Sequence, residues 1–96
     1  MDDATIRRYL TGPRLTVLAI VDRGGAGGAD DVARSWRAER ASLSPAHVRR
    51  LPRIAGQLLW QLANLGWIER SGGEWKVTEL GRHARGLGVR HVGWGR

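Results

Sequence analysis

The chain has 96 residues, 42% of them hydrophobic, a net charge of +7 and no cysteine. That length supports one modest core, that composition argues against wholesale disorder, and the missing cysteines exclude disulfides and thiolate metal sites. No apolar run approaches the length of a membrane span, and the Met-Asp-Asp start lacks a basic segment followed by an apolar one, so the expected location is the cytoplasm.

Asp2 to Leu10 reads as a short amphipathic helix with Ile6, Tyr9 and Leu10 inward. Thr11-Gly12-Pro13 interrupts it, and Pro13 suits the first position of a second helix. That helix, PRLTVLAIVDR, is apolar almost all round, as a buried helix is. The run from Gly24 to Gly28 ends it in a loop. Asp30 or Asp31 is placed to cap a third helix, with Val32, Ala33 and Trp36 inward. Ser44 and Pro45 form another helix start, with Ser44 as cap and Pro45 in the first turn.

From Ala46 the helical period runs without a phase break into LPRIAGQLLWQLANLGWIER. Leu51, Ile54, Ala55, Leu58, Leu62 and Leu65 make the apolar stripe, and His47 and Val48 fall on or beside it. Pro52 interrupts, because it has no N–H and crowds the preceding turn. Two readings fit: one helix kinked at Pro52, or a short helix over 45–50 and a new one from Pro52. The second is slightly preferred, which places the longer helix at about 52–65. Leu65-Gly66 is a helix stop. Trp67 to Arg70 and Trp75 to Thr78 are extended candidates, joined through Gly72-Gly73 as a hairpin turn. Thr78 caps a last helix from Glu79 to about Gly86, with Leu80 and Ala84 inward. The segment 87–96 reads as a basic, glycine-rich tail, either disordered or adding a strand over Val89 to Val92.

The charge is uneven. Residues 1–31 hold four Arg and five Asp, a balance of −1, whereas residues 32–96 hold twelve cations and four Glu, a balance of +8. Such asymmetry points to an anionic partner, most often nucleic acid, although fifteen of the sixteen cations are Arg, as a genome favouring Arg codons also yields.

Three segments resemble prokaryotic winged helix-turn-helix proteins. ADDVARSW is similar to the first helix of the helix-turn-helix. LLWQLANLGWIER is similar to the end of a recognition helix running into the first wing strand. WKVTELGRHA is similar to the second wing strand passing through Thr into a closing helix. The resemblance is to the broad MarR/PadR/ArsR-type superfamily and to no single member, and it covers most of residues 30–84. Three features depart from it: a long link between Trp36 and Pro52, a Gly-Gly wing tip without Arg, and short or absent flanking dimer helices.

The resemblance implies a mainly α fold with a small β-hairpin (α+β), a winged helix-turn-helix domain over residues 1–86 with a wing at 67–78, and double-stranded DNA as partner. A transcriptional regulator or a nucleoid-type protein is then expected. In such folds the outward residues of the recognition helix meet base edges. Here these are Arg53, Gln57, Trp60 and Asn64, with Arg suited to guanine and Gln to adenine, and Gly56 allowing close backbone approach. Trp60 has two other readings, satellite core under the 36–52 segment or a protein interface. Arg34, Arg37, Arg40, Arg49 and Arg50 supply positive field, as phosphate contacts or as solvated helix faces. Arg70 and Lys76 flank the wing, on the sugar-phosphate backbone or in exposed pairs with Glu69 and Glu74. Arg82, Arg85, Arg90 and Arg96 make the C-terminal region basic. Trp67 and Trp75 are read as hairpin core and His47 as interior.

An enzyme is not expected. The GGAGG run fails the dinucleotide fingerprint, adjacent Asp pairs on a helix diverge, no Ser sits in a nucleophile elbow, and His83 and His91 lack metal-ligand spacing. No cofactor is implied. A homodimer, RNA binding and a protein-interaction module using the Trp60 face in a replication, transcription or membrane-remodelling assembly stay open, because fold alone does not fix function.

Overall fold

The computed structural model describes residues 1–24, 26–40 and 42–93, with side chains as far as Val89. The elements are α1 (Asp3–Tyr9), α2 (Gly12–Gly24), α3 (Ala29–Glu39), α4 (Pro45–Asn64), β1 (Ile68–Ser71), β2 (Glu74–Val77) and α5 (Glu79–Gly93). The described chain is therefore mainly helical, with one two-stranded antiparallel sheet. No helix among the described residues is long and apolar enough to cross a membrane.

The local starts and stops follow from side-chain chemistry. Asp2 caps α1 by accepting the Thr5 N–H at 2.8 Å, and its hydrogen bonds with Thr5 hold its carboxyl below the usual carboxylate range. Ser44 caps α4 by accepting the His47 N–H, with Pro45 in the first turn. Neither Asp30 nor Asp31 caps α3. Gly28 occupies that position without a side-chain bond, and the Asp31 carboxylate instead accepts the Gly27 N–H at 3.0 Å. At the end of α4, Gly66 has φ +77°. The Gly66 N–H reaches the Ala63 carbonyl and the Trp67 N–H reaches that of Leu62. This paired bonding terminates a helix in the left-handed region, where glycine carries no Cβ penalty. Gly72 and Gly73 both have positive φ, as a two-residue turn matched to the strand twist requires. They set the register Ile68↔Val77, Glu69↔Lys76, Arg70↔Trp75 and Ser71↔Glu74.

Two expectations about helix extent are corrected. The first concerns Pro52. α4 is a single helix of 20 residues with Pro52 inside it, so it begins well before position 52. Proline removes one helical hydrogen bond, but Leu51, Ala55, Leu58, Leu59 and Leu62 are all buried along the same helix. At roughly 1.5–3 kcal/mol per fully buried large apolar side chain, that burial outweighs a local penalty of about 3 kcal/mol. Pro52 itself is exposed. Pro52→Ala should therefore raise stability, on the order of 1–3 kcal/mol, measured as a higher denaturant midpoint with an unchanged slope.

The second concerns the C-terminus. α5 does not stop near Gly86 but continues to Gly93, and the segment from Leu87 is neither a loose tail nor a strand as far as it is described. Leu87 is 4% exposed and belongs to the core. Gly88 lies so close to Leu15 that a Cβ there would stand 2.8 Å from its methyl. Its glycine serves the α2–α5 packing. Trp94 to Arg96, and the side chains of Arg90 and Val92, lie outside the described residues.

The core is one cluster that draws on every element. Trp67, Ile6, Leu18, Leu51 and Leu62 are its largest fully buried members. Trp67 is interior and Trp75 half-buried, as the hairpin reading expected. Ala26, in the loop before α3, forms an isolated bridge to Trp75, whose N–H donates to the Ala26 carbonyl at 2.7 Å. Polar ties hold the helices. The Arg14 guanidinium donates to Gln61 Oε1 from α2 to α4. Arg85 pairs with Asp22, Arg23 with Glu39, and His83 with Asp3.

Candidate functional site

α3 and α4 are joined by the five residues Arg40 to Ser44. The long link expected between Trp36 and Pro52 is thus mostly helix. α3 meets α4 closely at Gly56, where a Cβ would stand 3.6 Å from the Ala29 Cβ. Gly56 is turned towards α3 and half-buried. The 3.6 Å is an ordinary van der Waals distance, so the crossing has room for an alanine at this position.

Towards the turn the two helices leave an open groove of about 750 Å³ between them. Ala38, Leu43, Pro45 and Val48 form its apolar floor, and four arginines line it: Arg34, Arg37 and Arg40 from the α3 side and Arg49 from α4. Arg34 is paired with Asp31 one turn away at 3.2 Å, an exposed pair of small value. Arg37, Arg40 and Arg49 have no acceptor among the described residues, nor do the exposed Arg50 and Arg53 beside them. No carboxylate occurs in sequence between Glu39 and Glu69, and the first turn of α4 holds no acid. The positive end of the helix dipole adds to the same field. Chemically this is a surface of largely unpaired, fork-shaped donors, a geometry that matches phosphate oxygens.

The remaining expected residues fall into three groups. Arg53, Gln57, Trp60 and Asn64 do share one exposed stripe of α4. Trp60 is 69% exposed, which rules out the satellite-core reading. The Asn64 side-chain amide donates to the Trp60 carbonyl at 2.9 Å and is committed to its own helix. Trp60 lies eleven positions beyond Arg49, about 16 Å along the axis at about 1.5 Å per residue. Trp60→Ala should therefore leave stability within about 0.5 kcal/mol of the parent, read by thermal unfolding.

The hairpin residues are partly engaged elsewhere. Arg70 stacks over the Trp75 ring, 5.0 Å from its centroid, and donates to the Gly27 carbonyl at 3.3 Å. Its cation holds the hairpin to the loop before α3. Lys76 is exposed opposite Glu69. His47 is exposed, contrary to the interior expectation: it stands in the first turn, before the apolar stripe meets its packing partners at Leu51.

Sequence reasoning named Arg40 as part of the field but did not place it at the groove, and it missed the floor of Leu43, Pro45 and Val48. The Ser44-Pro45 start was the available signal, since a helix beginning there brings Arg49 back against Arg37. No group of three or more metal-ligating side chains occurs among the described residues. No protein-family model, curated protein or solved structure matches the chain.

Proposed function

We propose that the protein is a winged helix-turn-helix protein that binds double-stranded DNA, as a transcriptional regulator or a nucleoid-type protein. The observation that carries the reading is the groove between α3 and the first half of α4, with Arg34, Arg37, Arg40 and Arg49 around it. The order α3, short turn, α4 and hairpin is the one the sequence resemblance implies. In this account Arg37, Arg40 and Arg49 take phosphates, which position the protein without reading sequence. Arg50 and Arg53, on the exposed side of the same half of α4, reach base edges in the major groove.

This moves the base-reading role towards the N-terminal half of α4. The stretch from Arg49 to Asn64 is about 22 Å long at the helical rise, and Arg49, Arg50 and Arg53 stand together at its N-terminal end. The exposed Trp60 favours a second reading in which this end of α4 docks a protein partner, where a large exposed indole is a typical anchor.

Fluorescence anisotropy with a generic duplex across a salt series tests the proposal, using Trp60→Ala alongside the parent. The expected result is salt-dependent binding that Trp60→Ala leaves unchanged. Absent duplex binding, together with capture of a partner that Trp60→Ala abolishes, would favour the protein-interaction reading instead.

A further inference from the structure

Trp60 is the one exposed tryptophan among the described residues, and it stands apart from the core cluster. Arg50, Arg53, Gln57, Trp60 and Asn64 follow one another along α4 at spacings of three and four. They therefore share one seam of the helix, and all five are exposed. The residues one turn to either side of the indole, Gln57 and Asn64, are polar. Gln61, next to it in the chain, accepts from the Arg14 guanidinium at 3.1 Å and 3.2 Å. The other acceptor of that guanidinium is the Tyr9 carbonyl at 2.7 Å. Both acceptors are neutral, so Arg14 brings an uncompensated charge to the same end of α4. No carboxylate occurs in sequence between Glu39 and Glu69.

We propose that Trp60 is a stacking platform for an unpaired base, so that the protein prefers a DNA duplex that continues into a single strand over a blunt one, an inference that rests on the DNA reading for its duplex half. Single strands are held by an aromatic face for the bases and a cationic track for the phosphates. The seam supplies both. Arg50 and Arg53 stand at the duplex end, and Trp60 lies about 10 Å beyond Arg53 at the helical rise. A strand leaving the duplex beside α4 covers that distance in about three nucleotides, at about 3.4 Å each. Paired bases are stacked on their neighbours and offer no free face, so a blunt duplex leaves the ring unused. A protein partner fits the same ring less well. Tryptophan anchors work in packed, fully desolvated patches, whereas Gln57, Asn64 and the Arg14 charge make the surroundings of Trp60 polar. The Gln57 amide and the Asn64 carbonyl oxygen are instead exposed hydrogen-bonding groups for the edge of a stacked base.

The test compares three forms of one short duplex by fluorescence anisotropy with the full chain: blunt, with a four-thymine overhang, and with an abasic overhang of the same length. The abasic form keeps the phosphates and removes the bases. Overhangs on the 3′ and 5′ strands are measured separately. On one of the two strands the thymine overhang is expected to bind roughly fivefold or more tightly than the abasic one, the lower end of what one base on one aromatic ring contributes. That gain should not change with salt, because the phosphate number is equal. Trp60→Ala is expected to abolish the gain with unchanged blunt-duplex affinity and melting temperature, and Trp60→Phe to keep most of it. Equal affinity for thymine and abasic overhangs overturns the platform. So does a gain that Trp60→Ala leaves intact, which leaves the indole to a protein partner. In both cases blunt-duplex binding still upholds the DNA reading. No binding to any of the three forms overturns the DNA reading and the platform with it.

Discussion

Gly81→Ala is expected to cost about 3 kcal/mol or more, the upper end of what overpacking causes. A Cβ built at Gly81 would stand 2.0 Å from the Trp67 carbonyl oxygen and 2.9 Å from its carbonyl carbon. Both are backbone atoms, and a backbone does not step aside as a side-chain end does. The neighbouring bonds fix the same spot. Thr78 accepts the Gly81 N–H at 3.0 Å, its own hydroxyl donates to the Gly66 carbonyl at 2.6 Å, and its N–H donates to the Trp67 carbonyl. The end of α4, the start of β1 and the cap of α5 are thus pinned together around one missing methyl group. For a domain of this size, 1 kcal/mol corresponds to roughly 4–8 °C, so calorimetry should show the melting temperature falling by roughly 12 °C or more. A fall of only a few degrees would show that the packing of α5 on Trp67 yields to one extra methyl group.

The second large effect concerns charge. Arg37→Ala combined with Arg49→Ala removes two cations that line one groove and have no acceptor among the described residues. Each phosphate contact contributes about 0.9 to the log–log dependence of affinity on salt, so the slope should fall by about 1.8. If that contribution vanishes near 1 M salt, the double variant at 0.1 M binds roughly 60-fold more weakly. Both side chains are exposed, so melting should stay close to the parent's. The same loss without a change in slope would mean that the arginines act through folding and not through phosphate.

Local signals carried much of the fold. Gly72-Gly73, Leu65-Gly66, Ser44-Pro45 and Thr78 each mark a boundary by their own backbone or hydrogen-bonding chemistry, and the structure uses each of them. The two failures of helix extent share one physical cause, which is that tertiary packing overrode a local preference. Pro52 reads as a break until the buried run from Leu51 to Leu62 is counted against it. Gly86 and Gly88 read as the start of a tail because glycine disfavours helix. In the folded chain, Gly88 is where Leu15 needs room. No one-dimensional pattern shows that need.

The candidate site was legible in kind but not in place. The concentration of arginine after residue 32 and the exposed stripe from Arg53 to Asn64 are sequence facts. The groove is different, because it exists only if α4 starts at Pro45 and folds back on Arg37 and Arg40. Starting the helix at Pro52 left its first two turns, with Arg49 and Arg50, outside the expected recognition helix. Arg70 carries contacts that the sequence did not show. Its charge suggested the sugar-phosphate backbone, whereas stacking on Trp75 and the bond to Gly27 give it a structural partner.

The most direct test of the DNA account is the affinity of the purified protein for a generic duplex from low to moderate salt. The three arginines assigned to phosphates, Arg37, Arg40 and Arg49, predict a log–log slope of about −2.7. A slope near zero, or no binding at the lowest salt, would contradict the account and leave the exposed Trp60 end of α4 as the surface to pursue.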